Sequence, residues 1–148
     1  MGNRAVITDK NKKIGVYVHW NGGRTSVEGF LTYCRLKEYR NPNEDCYGWA
    51  RLCQVIGNFF GGECSVGIDK YEYLDTDNGD NGVYVMDENW NICERIYADG
   101  CNEKVDKKEL FDFIVELNEE QPEKEQISTK LIRKEIFGEE DKNVWLPL

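Results

Sequence analysis

Two β-rich runs at the start of the chain constrain the fold more than any other feature. They are Arg4–Thr8 and Ile14–Trp20, and the residues between them, Asp9–Lys13, are the polar residues typical of a turn. Two strands with so short a connection pair antiparallel, because a parallel pair needs a crossover of about a dozen residues or more. The chain therefore begins with a β-hairpin, which favours an antiparallel sheet.

The rest of the chain contains patterns of two helices, then three strands, then two more helices. Helices and strands are predicted, in chain order, at Thr25–Tyr39 (helix), Asp45–Phe60 (helix), Ser65–Asp69, Gly82–Asp87 and Ile92–Tyr97 (strands), from Asp106 (helix) and at Pro122–Phe137 (helix). The order ββααβββαα predicts an α+β domain, with a mostly antiparallel sheet of about five strands and helices packed on one face. We expect residues 1–138 to form this single domain and residues 139–148 to form a C-terminal tail.

Two local patterns within the helices carry further expectations. Thr25 and Glu28 have the spacing of a capping box, in which the hydroxyl accepts from the Glu28 amide and the carboxylate reaches back. Gly57 lies inside the second predicted helix, where glycine costs about 1 kcal/mol relative to alanine. We therefore expect a close approach of backbone or ligand at Gly57.

The charge distribution limits the choice of partner. The chain has a net charge of −9, yet its first 50 residues contain eight basic and five acidic side chains. Excess negative charge opposes binding to a nucleic-acid polymer, because each neutralised phosphate requires a nearby cation. No run of about 18 apolar residues and no secretory signal pattern is present. We therefore expect a soluble cytoplasmic protein without a membrane or nucleic-acid polymer as partner.

Neither the cysteines nor the acidic loop has the pattern of a metal site. None of the six cysteines lies within four residues of another, as zinc knuckles and dithiol redox sites require. The loop Asp75–Gly82 resembles an EF-hand, but each register places Gly79 at a ligand position. We therefore expect no metal and no cofactor, and free thiols rather than disulfides.

The segment after the second predicted strand is the strongest candidate for a ligand site. There, two glycines and an arginine stand at the start of a predicted helix, whose first amides have no intrahelical partners and attract anions. Tyr17 and His19 alternate onto one face of the strand, and Trp20 follows as a candidate to stack on a base. The predicted ligand-binding residues are Tyr17, His19, Trp20, Asn21, Gly22, Gly23, Arg24, Thr25 and Ser26. Because no Ser, Cys or Asp is fixed beside the one histidine, we expect no catalytic residue and favour a binding protein over a hydrolase, for which His19 and nearby carboxylates are the only support.

Four segments carry a resemblance to a known family. Met1–Ile7, Gly15–Gly23, Gln54–Gly62 and Asp80–Tyr84 resemble a widespread family of small proteins encoded by phages and prophages. The resemblance covers roughly residues 1–97 and implies an accessory protein that acts against host defence. Such proteins act by sequestering a nucleotide immune signal or by blocking a nuclease as an acidic decoy.

Two functions follow as hypotheses. In the first, the protein binds and sequesters a small anionic ligand such as a cyclic nucleotide, with residues 22–26 on phosphate and Tyr17 or Trp20 on a base. In the second, acidic segments at 69–99 and 116–125 mimic nucleic acid and occupy the basic groove of a host nuclease. A chain of this size has little room for a deep pocket, so we expect a homo-oligomer, with the tail at residues 142–148 as a candidate contact.

Overall fold

The structure, a computed structural model, describes residues 2–98 and 103–138. Within them lie five strands and four α-helices, with short 3-10 helices at Tyr71–Tyr73 and Glu123–Glu125. The bounds are β1 Ala5–Asp9, β2 Ile14–Val18, α1 Arg24–Leu36, α2 Cys46–Phe59, β3 Val66–Lys70, β4 Val83–Met86, β5 Ile92–Ile96, α3 Lys107–Glu119 and α4 Thr129–Phe137. The C-terminal tail predicted at 139–148 lies outside the described residues.

The five strands form one mixed sheet in the order β3-β2-β1-β4-β5. Pairing is antiparallel for β1 with β2, β2 with β3 and β4 with β5, whereas β1 and β4 run parallel. All five residues of β1 are buried, as expected of a central strand with a neighbour on each side. The prediction of an α+β domain with a mostly antiparallel sheet is confirmed, and the parallel pair at its centre is the feature that the sequence did not indicate.

The two faces of the sheet are covered differently. The larger apolar cluster joins alternate strand residues such as Ile7, Val16 and Tyr84 to apolar side chains from all four helices. The smaller cluster contains Val6, Val83 and Val85 on the opposite face, together with Tyr71 and Leu74 from the 3-10 segment. The sheet therefore has a thick apolar layer on one face and a thin apolar layer on the other.

The start of α1 differs from the predicted capping box. Helix α1 begins at Arg24 with Gly23 as its N-cap, and no side chain of the described residues caps it. The carboxylate of Glu28 accepts from the guanidinium of Arg24 at 2.9 Å instead of reaching back to Thr25. The capping-box prediction is wrong because an arginine one turn earlier competes successfully for this carboxylate.

The predicted fourth helix also starts later than expected. Pro122 precedes only the 3-10 helix, and α4 begins at Thr129 with Ser128 as N-cap. The amide group of Asn118 donates to the Ile127 carbonyl at 2.8 Å and accepts from the Ile127 N–H at 3.0 Å. These two bonds use the backbone groups that a continuous helix would need, and so they separate the 3-10 turn from α4.

None of the helices in the described part of the chain has the length and apolar character that a bilayer-spanning segment needs.

Five cysteines of the described residues are free thiols, namely Cys34, Cys46, Cys53, Cys64 and Cys93. Burial raises the pKa of the Cys34 thiol far above its usual value, which keeps it in the uncharged form. The sixth cysteine, Cys101, lies outside the described residues.

Candidate functional site

The β2–α1 loop brings the predicted ligand-binding residues together. The hydroxyl of Tyr17 lies 2.9 Å from Nδ1 of His19, which confirms that the two side chains share one face of β2. The Trp20 ring is 44% exposed and meets the His19 ring edge-on at 5.2 Å. Asn21 adopts a positive φ of 58°, and its amide donates to the Ser26 hydroxyl at 3.1 Å. The loop is therefore compact, with Trp20 as its most exposed aromatic side chain.

Gly22 connects this loop to the N-terminal segment. Its N–H donates to the Asn3 carbonyl at 2.8 Å, and its carbonyl accepts from the Tyr84 hydroxyl at 2.7 Å. A Cβ at this position would overlap the Asn3 carbonyl oxygen and lie 2.8 Å from the Cβ of Ala5. Glycine is therefore required for close packing, and its N–H is already bonded within the chain.

The side chain of Arg24 also has hydrogen-bond partners within the protein. Its guanidinium donates to Glu28 at 2.9 Å and to Glu103 at 3.1 Å. Burial would lower the pKa of Arg24, but the two carboxylates outweigh burial and raise it. Two of the donors on which the phosphate prediction depended, the Gly22 amide and the Arg24 guanidinium, thus have partners inside the protein.

A second cluster of basic and aromatic side chains lies where α1 ends and α2 begins. The Arg51 guanidinium carbon lies 6.0 Å from the ring centre of Tyr39 and 5.9 Å from that of Tyr47. Arg40 lies 4.8 Å from the Tyr47 ring, and the Lys37 ammonium lies 5.9 Å from the Tyr39 ring. Cations and rings therefore alternate, within the roughly 6 Å over which they attract each other. We call these five residues the cation–aromatic ladder.

Arg51 differs from most arginines of the protein in its partners. Within residues 2–98 and 103–138, no carboxylate lies in ion-pair distance of Arg51 and no hydrogen bond of its guanidinium is found; its guanidinium lies close to the two tyrosine rings. By contrast, five other arginines pair with acids: Arg4 with Asp80, Arg24 with Glu28, Arg35 with Glu135, Arg40 with Asp45 and Arg95 with Glu103. The half-buried guanidinium of Arg51 therefore keeps its hydrogen-bonding capacity for an added anion.

Two cavities adjoin Arg51 and Tyr39. The first has a volume of about 390 Å³ and includes the amide side chains of Gln54, Asn58 and Gln121 in its wall. The second has a volume of about 420 Å³ and includes Tyr47 and Arg40. Both volumes lie within the range of roughly 300–1,000 Å³ that is typical of small-molecule sites. We call the two cavities, together with the Tyr39–Arg51 wall, the Tyr39–Arg51 cleft.

Glu125 fixes one side of the cleft. Its carboxylate lies 3.2 Å from the Lys37 ammonium and accepts from the Tyr39 hydroxyl at 3.3 Å. The hydrogen bond and charge of Lys37 lower the pKa of Glu125. Burial, with the Glu125 charge adding to it, raises the pKa of Tyr39 to about 12. Tyr39 is therefore neutral at physiological pH and is held in place as part of the wall.

The amide end of the first cavity is fixed in a similar way. The Asn58 amide donates to the side-chain oxygen of Gln121 at 2.9 Å, and the Gln121 amide donates to the Val55 carbonyl at 3.1 Å. Gln54 is exposed and lies one turn before Asn58 on α2. The cavity thus offers oriented amide groups next to a guanidinium, which suits a ligand that has both hydrogen-bonding edges and negative charge.

Sequence reasoning placed the site at the β2–α1 loop and did not assign Arg51. A signal was nevertheless present, because Tyr47 and Arg51 stand four residues apart and so share one face of α2. Tyr39 and Arg40 come from the α1–α2 connection, and no spacing rule links them to that face. Only the packing of the two helices reveals the ladder.

Within the described ranges, no group of three or more His, Cys, Asp or Glu side chains has the geometry of a metal site. In the acidic loop, the buried side chain of Asn78 accepts from the N–H groups of Asp80 and Gly82 at 3.0 and 3.1 Å. This arrangement is typical of a turn closed by its own asparagine.

Comparisons with protein-family models, curated proteins and solved structures found no match to this chain.

Proposed function

We propose that the protein is a non-enzymatic binder of a small anionic, nucleotide-like ligand, and that the Tyr39–Arg51 cleft holds it. One observation carries the proposal: Arg51 stands between two tyrosine rings at the edge of two cavities, and its guanidinium is not neutralised by any described carboxylate. A guanidinium forms paired, charge-assisted hydrogen bonds to phosphate, and tyrosine rings stack on bases. Both recognition elements of a nucleotide site are therefore adjacent.

The proposal retains the biological role that the family resemblance implies. In that role, an accessory protein of a phage or prophage binds a nucleotide immune signal in the host cytoplasm and lowers its free concentration. Sequestration requires binding and no catalysis, which agrees with a cleft built from a cation, rings and amides. The expected homo-oligomer belongs to the same proposal and is testable by analytical ultracentrifugation with and without ligand.

The site is tested by isothermal titration of the four nucleoside 5′-monophosphates and their 3′,5′-cyclic forms. We expect Arg51→Ala to weaken binding by about 10- to 100-fold, because a hydrogen bond to a charged group contributes about 1.5–3 kcal/mol. Arg24→Ala is the matched control, since it removes an arginine whose charge Glu28 and Glu103 already neutralise. We expect Arg24→Ala to leave affinity unchanged.

Two results would contradict the proposal. Absence of heat with every ligand would reject nucleotide binding, and equal affinity of wild type and Arg51→Ala would reject the cleft. If Arg24→Ala alone abolished binding, the ligand would lie at the β2–α1 loop as the sequence predicted.

The alternative is an acidic inhibitor of a basic host nuclease. Several carboxylates that would form its surface are already paired with cations, among them Asp80 with Arg4, Glu88 with Lys10 and Glu94 with Lys12. The observation that favours the alternative is at the end of α3, where Glu116, Glu119 and Glu120 are exposed and form no ion pair with the described residues. Salt-sensitive co-purification of a basic protein, abolished by charge reversal at these three positions, would support it.

A further inference from the structure

The two cavities of the Tyr39–Arg51 cleft are separate spaces with a common wall. Tyr39 and Arg51 are the residues of the described part of the chain that line both of them. A ligand that occupies both cavities must therefore cross the wall that Tyr39 and the Arg51 guanidinium form. The distances from Arg51 to the two tyrosine rings place the ring centres within about 12 Å of each other, so one short ligand can reach both.

The two cavities also differ in chemistry. The first combines the amide groups of Gln54 and Asn58 with the apolar side chain of Val55, which suits the hydrogen-bonding edge of a base, while the Gln121 amide donates to Val55 and Leu117 within the chain. The second contains Tyr47, whose side chain is 52% exposed and offers a ring for stacking. Each cavity thus has a means of holding one base, and the cation lies between them.

From this arrangement we infer that the ligand is a dinucleotide, with one base in each cavity and its bridging phosphodiester at Arg51. The inference rests on the proposed function and names its ligand class. A phosphodiester has one negative charge, and Arg51, which no described carboxylate neutralises, stands at the wall between the two cavities. Adjacent bases of a single strand can splay apart to occupy separate sites. A mononucleotide fills one cavity and leaves the other empty.

Linking two binding groups makes the second contact intramolecular, which raises affinity without a new kind of interaction. The test compares the four homodinucleoside monophosphates with the four nucleoside 5′-methylphosphates. Each methyl ester has one base and one singly charged phosphodiester, so charge is equal in the two sets. We expect at least one dinucleoside monophosphate to bind ten times or more tighter than its methyl ester.

Tyr47→Ala removes the stacking ring of the second cavity. Because this side chain is exposed, we expect the fold to persist and the advantage of the dinucleotide to fall below threefold. Affinity for the methyl ester, which has no second base, is expected to fall less than affinity for the dinucleotide. Tyr73→Ala is the matched control, since Tyr73 is a tyrosine with 66% exposure on the 3-10 helix Tyr71–Tyr73, outside the cleft.

The outcomes separate this inference from the proposed function. If both ligand sets bind equally and both depend on Arg51, the inference is overturned and the proposed function stands. If dinucleotides bind tighter but Tyr47→Ala does not reduce their advantage, the assignment of the second cavity is overturned. If no ligand of either set binds, both proposals fail.

Discussion

At the scale of one residue, Gly22 was predicted to contact a ligand, but the structure shows that glycine is required there for close packing. Its α-carbon faces the backbone of Asn3 and Arg4, so Gly22→Ala forces the N-terminal segment away from the loop. We expect a loss of about 1–3 kcal/mol in the free energy of unfolding, as in other overpacked positions. Urea denaturation followed by circular dichroism measures it.

Gly57→Ala is the control within the same chain. Among the described residues no heavy atom lies within 4 Å of a Cβ at Gly57, so the expected close approach of backbone there is wrong, and the approach of a ligand stays a prediction. Because alanine is the better helix former, we expect Gly57→Ala to stabilise the protein by up to about 1 kcal/mol. Equal changes in the free energy of unfolding for Gly22→Ala and Gly57→Ala would contradict the packing explanation.

At the scale of one element, helix α4 depends on a cap that the sequence prediction passed over. The Ser128 hydroxyl accepts from the Leu131 N–H at 3.1 Å. Ser128→Ala removes this bond and is expected to cost about 1 kcal/mol of unfolding free energy, whereas Ser128→Asp retains an acceptor and restores it. Thr129→Ala, one residue later and without a capping role, is expected to change little. If Ser128→Ala had the same free energy of unfolding as the wild type, the cap at the N-terminus of α4 would make no contribution to the stability of the fold.

At the scale of the whole molecule, Glu103 connects α1 to the sheet. Its carboxylate accepts from Arg24 at 3.1 Å and also from Arg95 of β5. Burial alone would raise the pKa of Glu103, but the hydrogen bonds and charges of Arg95 and Arg24 outweigh it and lower the pKa. A carboxylate with a lowered pKa in the folded state stabilises the protein above its unfolded pKa of about 4.3. That contribution is lost as the pH falls through the lower, folded value.

Glu103→Gln is therefore expected to cost about 1–2 kcal/mol at pH 7, with a difference from wild type that shrinks below about pH 4. Urea denaturation at pH 7 and at pH 3 measures both values. Glu116→Gln, on the exposed side of α3, is the control and is expected to have no effect at either pH. A difference that stays constant between the two pH values would show that Glu103 acts through packing rather than charge.

The sequence by itself determined the strands, the helices and much of their order, because those depend on local periodicity. The buried run of β1, the β1–β2 hairpin and the apolar stripe of α2 all follow from alternation or from three- and four-residue spacing. Tyr17 and His19 share one face for the same reason.

Only the tertiary structure decided which donors remain available to a ligand. Gly22 and Arg24 have the local pattern of an anion site. The Gly22 N–H, however, donates to the Asn3 carbonyl, and the Arg24 guanidinium donates to Glu103, and both partners are distant in the sequence. Arg51 has no such pattern, and the packing of α1 against α2 places it between two rings without a described carboxylate. Hydrogen bonds and ion pairs act over a few ångströms in space, so partners such as Asn3 and Glu103 follow from the fold, whereas Glu28, one turn after Arg24, is a neighbour along the helix.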